Sequence, residues 1–231
     1  MSAQHQAATC VAGPMDGPQS PWHIEAGTSL EALLDSTACP RPLWYALQAL
    51  TWQFRCETPL WHVLASPRLA PQLVAALLVC RAEVSMAGEA HVAGQPLERI
   101  LEPGGSGRVA SVCLPVMTAT WWGEAHVSRA PADEPIVAAW AAVTLEGGQV
   151  RQARVALTGV WDVPARLSRA ADGLAGAALD ARHVQAVAQA IEGEVTPVGD
   201  YLGSAEYRRA MASVLTRRAL LACYEGAGGA V

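Results

Sequence analysis

A chain of 231 residues with a net charge of −5, 52% hydrophobic and only 16% charged residues is long enough to bury one large core or two smaller ones. All 16 of its cations are arginine, so there is no lysine for a P-loop, a Schiff base or pyridoxal chemistry. The acidic balance argues against a nucleic-acid binder, which needs a concentrated basic face, and the scarcity of charge favours a chain that buries surface against partners.

Six cysteines, Cys10, Cys39, Cys56, Cys80, Cys113 and Cys223, form no CxxC pair and have no histidine at ligand spacing. No zinc or iron–sulfur site is therefore written locally. The first residues, MSAQHQAATCVAG, lack the basic start and apolar run of a signal peptide, which points to reduced thiols and a cytoplasmic chain. The apolar run LAPQLVAALLVC falls well short of the roughly 20 residues that span a bilayer.

Residues 1–21, rich in Gly, Pro, Ser and Gln, show no periodicity and predict a disordered arm. Order is expected from Trp22, where WHIEAG reads as a strand; Ser29 can cap a short helix with Leu30, Leu33 and Leu34 on one side. Pro42 can open the next helix, along which Leu43, Ala46, Leu47 and Leu50 follow the helical period. The apolar stretch from Ala70 to Leu78 predicts a helix running into a strand around Ala82–Met86. EAHVAGQPLERIL reads as a strand, a turn and one helical turn. The glycines at 104–107 read as a hairpin turn rather than a phosphate loop, because RVASVCLP then alternates as a strand.

In the second half, IVAAWAAVTL and QVRQARVALTGVW predict two antiparallel strands joined by Glu146-Gly147-Gly148-Gln149. Asp180 can cap a helix with Val184, Val187, Ala188 and Ile191 on one face; Ser204 can cap a last helix with Tyr207, Met211, Val214 and Leu215 on its apolar face. The fold class is α+β. His62, His91, His126 and His183 have no neighbouring Ser or Cys nucleophile motif, so a triad can be neither read nor excluded. Trp121-Trp122 reads as half-buried packing, and Asp133-Glu134 before Pro135 as a loop rather than a carboxylate pair.

The segment DYLGSAEYRRAMASVLTRRALLA, residues 200–222, resembles the signature that closes the flavin-carrying medium subunits of molybdenum hydroxylases, the xanthine dehydrogenase and aerobic carbon monoxide dehydrogenase family. Asp200, Ser204, Tyr207, Arg208, Arg209, Val214, Leu215, Arg217, Arg218, Ala219 and Leu220 fit a D-x-x-x-S-x-x-Y-R-R pattern followed by V-L-x-R-R-A-L. Upstream, Pro164, Arg166 and Ala170 fit a P-x-R-x-x-x-A continuation. HIEAGTSLEALL is similar to the family's I-G-A-x-T-T element, with Thr28 in it. Between Arg55 and Thr58 the loop is one residue shorter than the family's R-N-x-x-T-I-G-G-N-L-A. Its glycine pair falls on Leu60 and Trp61, where side chains block the close backbone approach that glycine permits. The family's first flavin subdomain, with its A-G-G-T-x-L loop, has no counterpart ahead of Trp22.

The resemblance implies a remnant of the second flavin subdomain over 22–117, a full C-terminal domain of antiparallel strands packed with helices over 118–225, and a tail at 226–231. It implies a medium-subunit homologue with no catalytic residue, no metal and no cofactor of its own. Thr28, Arg55, Thr58, Leu60 and Trp61 stand at degenerate flavin-loop positions, and Trp61 is expected to fill the vacated phosphate site. The implied partners are a small subunit with two [2Fe–2S] clusters and a large molybdopterin subunit. Tyr207, Arg208, Arg209, Arg217 and Arg218 are candidate interface residues, with a solvated helix end as the other reading. Two further readings stay open: a subunit that still binds FAD and passes electrons to an external acceptor, and an assembly factor for such a complex.

Overall fold

Two antiparallel sheets organise the residues that the computed structural model describes, namely 9–15, 20–88, 94–102, 108–130 and 133–228. The first part runs through strands Thr9–Pro14 (β1) and Trp22–Glu25 (β2), then helices Leu30–Leu34 (α1), Arg41–Gln48 (α2), Trp52–Glu57 (α3), Leu60–Ala65 (α4) and Pro71–Val79 (α5). Glu83–Met86 (β3), Gln95–Pro96 (β4), Leu97–Leu101 (α6) and Val109–Leu114 (β5) follow. The second part contains Thr120–Val127 (β6), Val137–Glu146 (β7), Gln149–Thr158 (β8), Ala165–Ser168 (β9), Ala181–Glu194 (α7) and Ala205–Gly226 (α8). The smaller sheet has the order β2-β5-β3-β4 and the larger β1-β6-β7-β8-β9.

Local chemistry explains the element ends. Side-chain oxygens of Ser29, Thr51, Asp180 and Ser204 accept the amides of Ala32, Phe54, His183 and Tyr207 at 3.3, 3.4, 2.9 and 3.2 Å, each satisfying an otherwise orphan donor of a helix start. Gly147 and Gly148, at φ 59° and 82°, make the two-residue turn between β7 and β8, which calls for positive φ at both positions.

Strand alternation then gives the large sheet two different faces. Ala125, Val127, Ala139, Ala141 and Val143 pack under α7 and α8, whereas Trp122, Ala138, Trp140 and Ala142 join the core built around α2 and α5. Helix α5 is therefore enclosed from both sides, and Leu73 through Val79 are all buried, as suits a helix apolar around its circumference. On the other face α8 lies so close to β6 that a Cβ on Gly123 would sit 2.3 Å from the carbonyl oxygen of Ala219.

Two expectations are corrected. The arm does not extend to residue 21: Thr9–Pro14 pairs along β6 from Thr9 opposite His126 to Pro14 opposite Trp121. Its backbone completes an edge, and Val11 and Met15 join the first core. The buried face of α8 is also shifted. It carries Arg208, Ala212, Leu215, Thr216, Ala219 and Cys223, while Tyr207, Met211 and Val214 are half-buried, because close approach to the sheet selects the small side chains. Residues 1–8, the EAHV strand at 89–92, the glycines at 104–107 and the end of the tail lie outside the described residues, and α8 itself extends to Gly226.

Candidate functional site

The segment that resembles the second flavin loop is a pair of short helices. Thr51 caps α3, and beyond Pro59 the residues Leu60, Val63 and Leu64 fall at i, i+3 and i+4 and turn inward, so α4 forms where a loop was expected. The amide of Leu60 donates to the carbonyl of Thr28 at 2.9 Å, and that of Trp61 to the carbonyl of Ala26 at 2.8 Å. The Thr58 carbonyl accepts the amide of Leu30 at 3.1 Å. Leu60 is fully buried, while Trp61 is 47% exposed with its ring stacked on His62, centroids 5.3 Å apart. The expectation that Trp61 fills the space is thus corrected: the helical period sends Leu60 inward and Trp61 outward.

Arg55 is committed to the fold as well. Its Nε donates to Glu31, and Nη1 donates to the carbonyls of Leu50 and Leu47, tying α3 to α1 and to the end of α2. A flavin pyrophosphate needs free amides and room for its oxygens. Here the two amides are spent on carbonyls, each position carries a Cβ, and α4 has only six residues. These residues do not fit the group.

The C-terminal signature builds an internal clamp. Arg208, 6% exposed, holds the carboxylate of Asp200 through Nη2 at 2.8 and 2.7 Å and donates through Nη1 to the carbonyls of Ile136 and Gly159 at 2.8 and 2.9 Å. The two terminal nitrogens thus serve four acceptors, one more than the three N–H donors of a lysine could reach. Gly159 stands at φ 75°, and a Cβ there would lie 2.1 Å from the oxygen of Ile136, so the turn requires glycine. Arg208 holds the Asp200 carboxyl below its usual range, helped by the amides of Leu202 and Gly203. Arg208 is accordingly not available as an interface residue. Tyr207 and Arg209 are half-buried, and Arg217 and Arg218 are exposed.

In a third region the sequence reading named His126 but not Glu124 beside it. Glu124 and His126, two residues apart on β6, share the face of Trp122 and line a cavity of about 430 Å³ between α2, α3, the start of α5 and the large sheet. Glu124 is 1% exposed; its Oε1 lies 2.9 Å from His126 Nδ1, and its Oε2 has no hydrogen-bond partner. Burial pushes the Glu124 carboxyl up, and the hydrogen bond to that carboxylate pushes the His126 imidazole up. The strand alternation of TWWGEAHV was the signal that could have placed these side chains on one face. Among the described residues there is no group of three or more His, Cys, Asp and Glu able to hold a metal ion, and His91 lies outside them.

Residues 125–223 match the CO dehydrogenase flavoprotein C-terminal domain family. The C-terminal part of the chain is thus similar to the medium chains of molybdenum hydroxylases. The chain is 34% identical over 94 residues to the carbon monoxide dehydrogenase medium chain of Afipia carboxidovorans, covering 41% of this chain and 33% of that one. It is 27% identical over 111 residues to the glyceraldehyde dehydrogenase medium chain of Sulfolobus acidocaldarius, covering 48% and 40%. The aligned part thus spans less than half the length of these medium chains. A chain of the reconstituted CO dehydrogenase from Oligotropha carboxidovorans superimposes with a TM-score of 0.76 over 92% of this chain and 78% of the other at 21% identity, a likeness of fold. The Arg208 clamp lies within the matched C-terminal domain, and the Leu30–Trp61 segment outside it.

Proposed function

We propose that this medium-subunit homologue is a non-catalytic, flavin-free structural subunit of a molybdenum hydroxylase complex. In that complex it stands beside a small subunit with two [2Fe–2S] clusters and a large molybdopterin subunit. The observation that carries the reading is the closed Leu60–Trp61 segment, whose amides are bonded to Thr28 and Ala26 and whose inward side chain is fully buried. Electrons leaving the clusters then require an acceptor other than a flavin on this chain. The names of its relatives, both medium chains of dehydrogenases, support a subunit role. The low share of charge supports burial against partners, and exposed Arg217 and Arg218 on α8 are available for such contacts. Among the described residues no helix is long and apolar enough to cross a membrane, and the six free cysteines support a cytoplasmic location.

The test is flavin stoichiometry. The chain is purified with whatever accompanies it and heat-denatured, and the flavin fluorescence of the supernatant is compared with protein, iron and molybdenum contents. Iron and molybdenum without flavin is the expected result. About one flavin per chain would overturn the reading and restore FAD-dependent electron transfer. Failure to co-purify with iron–sulfur and molybdopterin subunits would instead favour an assembly factor.

A further inference from the structure

We propose that the cavity between α2, α3 and the β6–β7 face of the large sheet binds a small organic cation, an amine, amidine or guanidine on a flat or short apolar body. Three carboxylates, Glu124, Asp133 and Glu134, line the cavity, and among its described lining residues none is arginine, in a chain that has 16. Among the described lining residues His126 alone is able to carry positive charge, and it is engaged with Glu124 Oε1. An anionic ligand would therefore meet three carboxylates against one imidazole already engaged by Glu124, whereas a cation finds complementary charge in a poorly solvated space.

The second observation is the orphan oxygen. Glu124 is buried within the protein, yet its Oε2 finds no donor in the fold, and buried polar atoms are almost always satisfied. A ligand N–H can supply that donor in a charge-assisted bond. The remaining walls suit the body of such a ligand. Tyr45, Phe54 and Trp140 present aromatic surface, with the rings of Tyr45 and Trp140 6.0 Å apart, and aromatic faces attract ammonium and guanidinium groups. A volume of about 430 Å³ lies within the range of small-molecule sites. Trp140 is itself fixed by donating to Gln72 Oε1 at 2.8 Å, and Gln72 donates in turn to Thr158, so this wall is preorganised. The proposal is independent of the reading of the Leu60–Trp61 segment, because it uses none of those residues.

The experiment titrates benzamidine and benzylamine into the full chain by calorimetry and tryptophan fluorescence, with neutral benzamide and benzyl alcohol as isosteric controls. One saturable site per chain, at least tenfold tighter for the cations, is expected. Glu124→Gln keeps the shape and should weaken cation binding tenfold or more. Asp133→Asn with Glu134→Gln, on the rim and remote from the core, should weaken it severalfold and serves if the buried variant fails to fold. Equal binding of the neutral controls, unchanged affinity in the variants, or no saturable binding would overturn the proposal. Displacement of bound benzamidine by riboflavin at comparable affinity would overturn it too, by making the cavity a flavin-ring site.

Discussion

The Thr58–Trp61 segment and the Asp200–Arg208 segment resemble the same family, but only the second keeps the full pattern. In the first, the resemblance implies that Leu60 and Trp61 replace the two glycines of the family's loop, and their amides are bonded to the carbonyls of Thr28 and Ala26. In the second, Asp200, Ser204 and Arg208 all fit, and each of them serves the fold: one caps α8 and two form the ion pair that ties it to the ends of β7 and β8. The difference separates two demands on a sequence. Residues that hold the chain to itself are needed whether or not a cofactor binds. Residues that only make room for a cofactor are free to be replaced by side chains that improve the core.

The largest effect that bears on this comparison comes from trying to reverse it. Leu60→Gly with Trp61→Gly removes a fully buried leucine and places glycine in a helix, and should cost about 5 kcal/mol in urea unfolding. If the account holds, the variant gains no flavin, since Thr28 and Ala26 still occupy the amides. Next, Arg208→Met leaves the carbonyls of Ile136 and Gly159 without their donor and removes the pairing of Asp200, at a cost of about 3 kcal/mol read from the same unfolding curves. Gly123→Ala forces α8 away from β6, because the Cβ would stand 2.3 Å from a main-chain oxygen. A loss of about 2 kcal/mol, with a lowered melting temperature, is expected.

Smaller effects sharpen the same contrast. The folded-state carboxyl of Asp200 lies below its ordinary value of 3.8. Its ion pair therefore contributes above that pH and is lost as acidification passes through the lowered value. Asp200→Asn should accordingly be less stable than the wild type at neutral pH, and the gap should close below pH 3.8 in acid-unfolding curves. Asp200 is partly exposed, which keeps the gap modest. Reversing charge at Arg217 and Arg218, both exposed, should change stability by less than about 0.5 kcal/mol. If these arginines face a partner, the reversal reduces co-purification of the complex; unchanged assembly makes them a solvated helix face.

Much of the fold was legible because it rests on local chemistry. The β7–β8 turn was carried by Gly147 and Gly148, and the starts of α1, α7 and α8 by Ser29, Asp180 and Ser204. Strand β1 was not legible, since its Gly- and Pro-rich surroundings have no period of their own and its order comes from pairing with β6, more than a hundred residues away. The face of α8 was misread because Arg208 is buried through its ion pair, which a hydrophobic period does not register. Helix α4 was not legible either: the resemblance implied a loop there, and the burial of Leu60, Val63 and Leu64 against the core explains the helix. Glu124 escaped notice because one carboxylate on a strand acquires meaning only when α2 and α3 close a cavity over it.

The account's central claim is that the backbone of Leu60 and Trp61 is closed to a flavin. The direct measurement is amide hydrogen exchange of the purified chain, resolved at these two residues, with and without excess FAD. Both amides should be protected in the free chain by their bonds to Thr28 and Ala26, and FAD should leave that protection unchanged. Fast exchange in the free chain, with protection appearing only when FAD is added, would contradict the account and make this segment a working flavin loop.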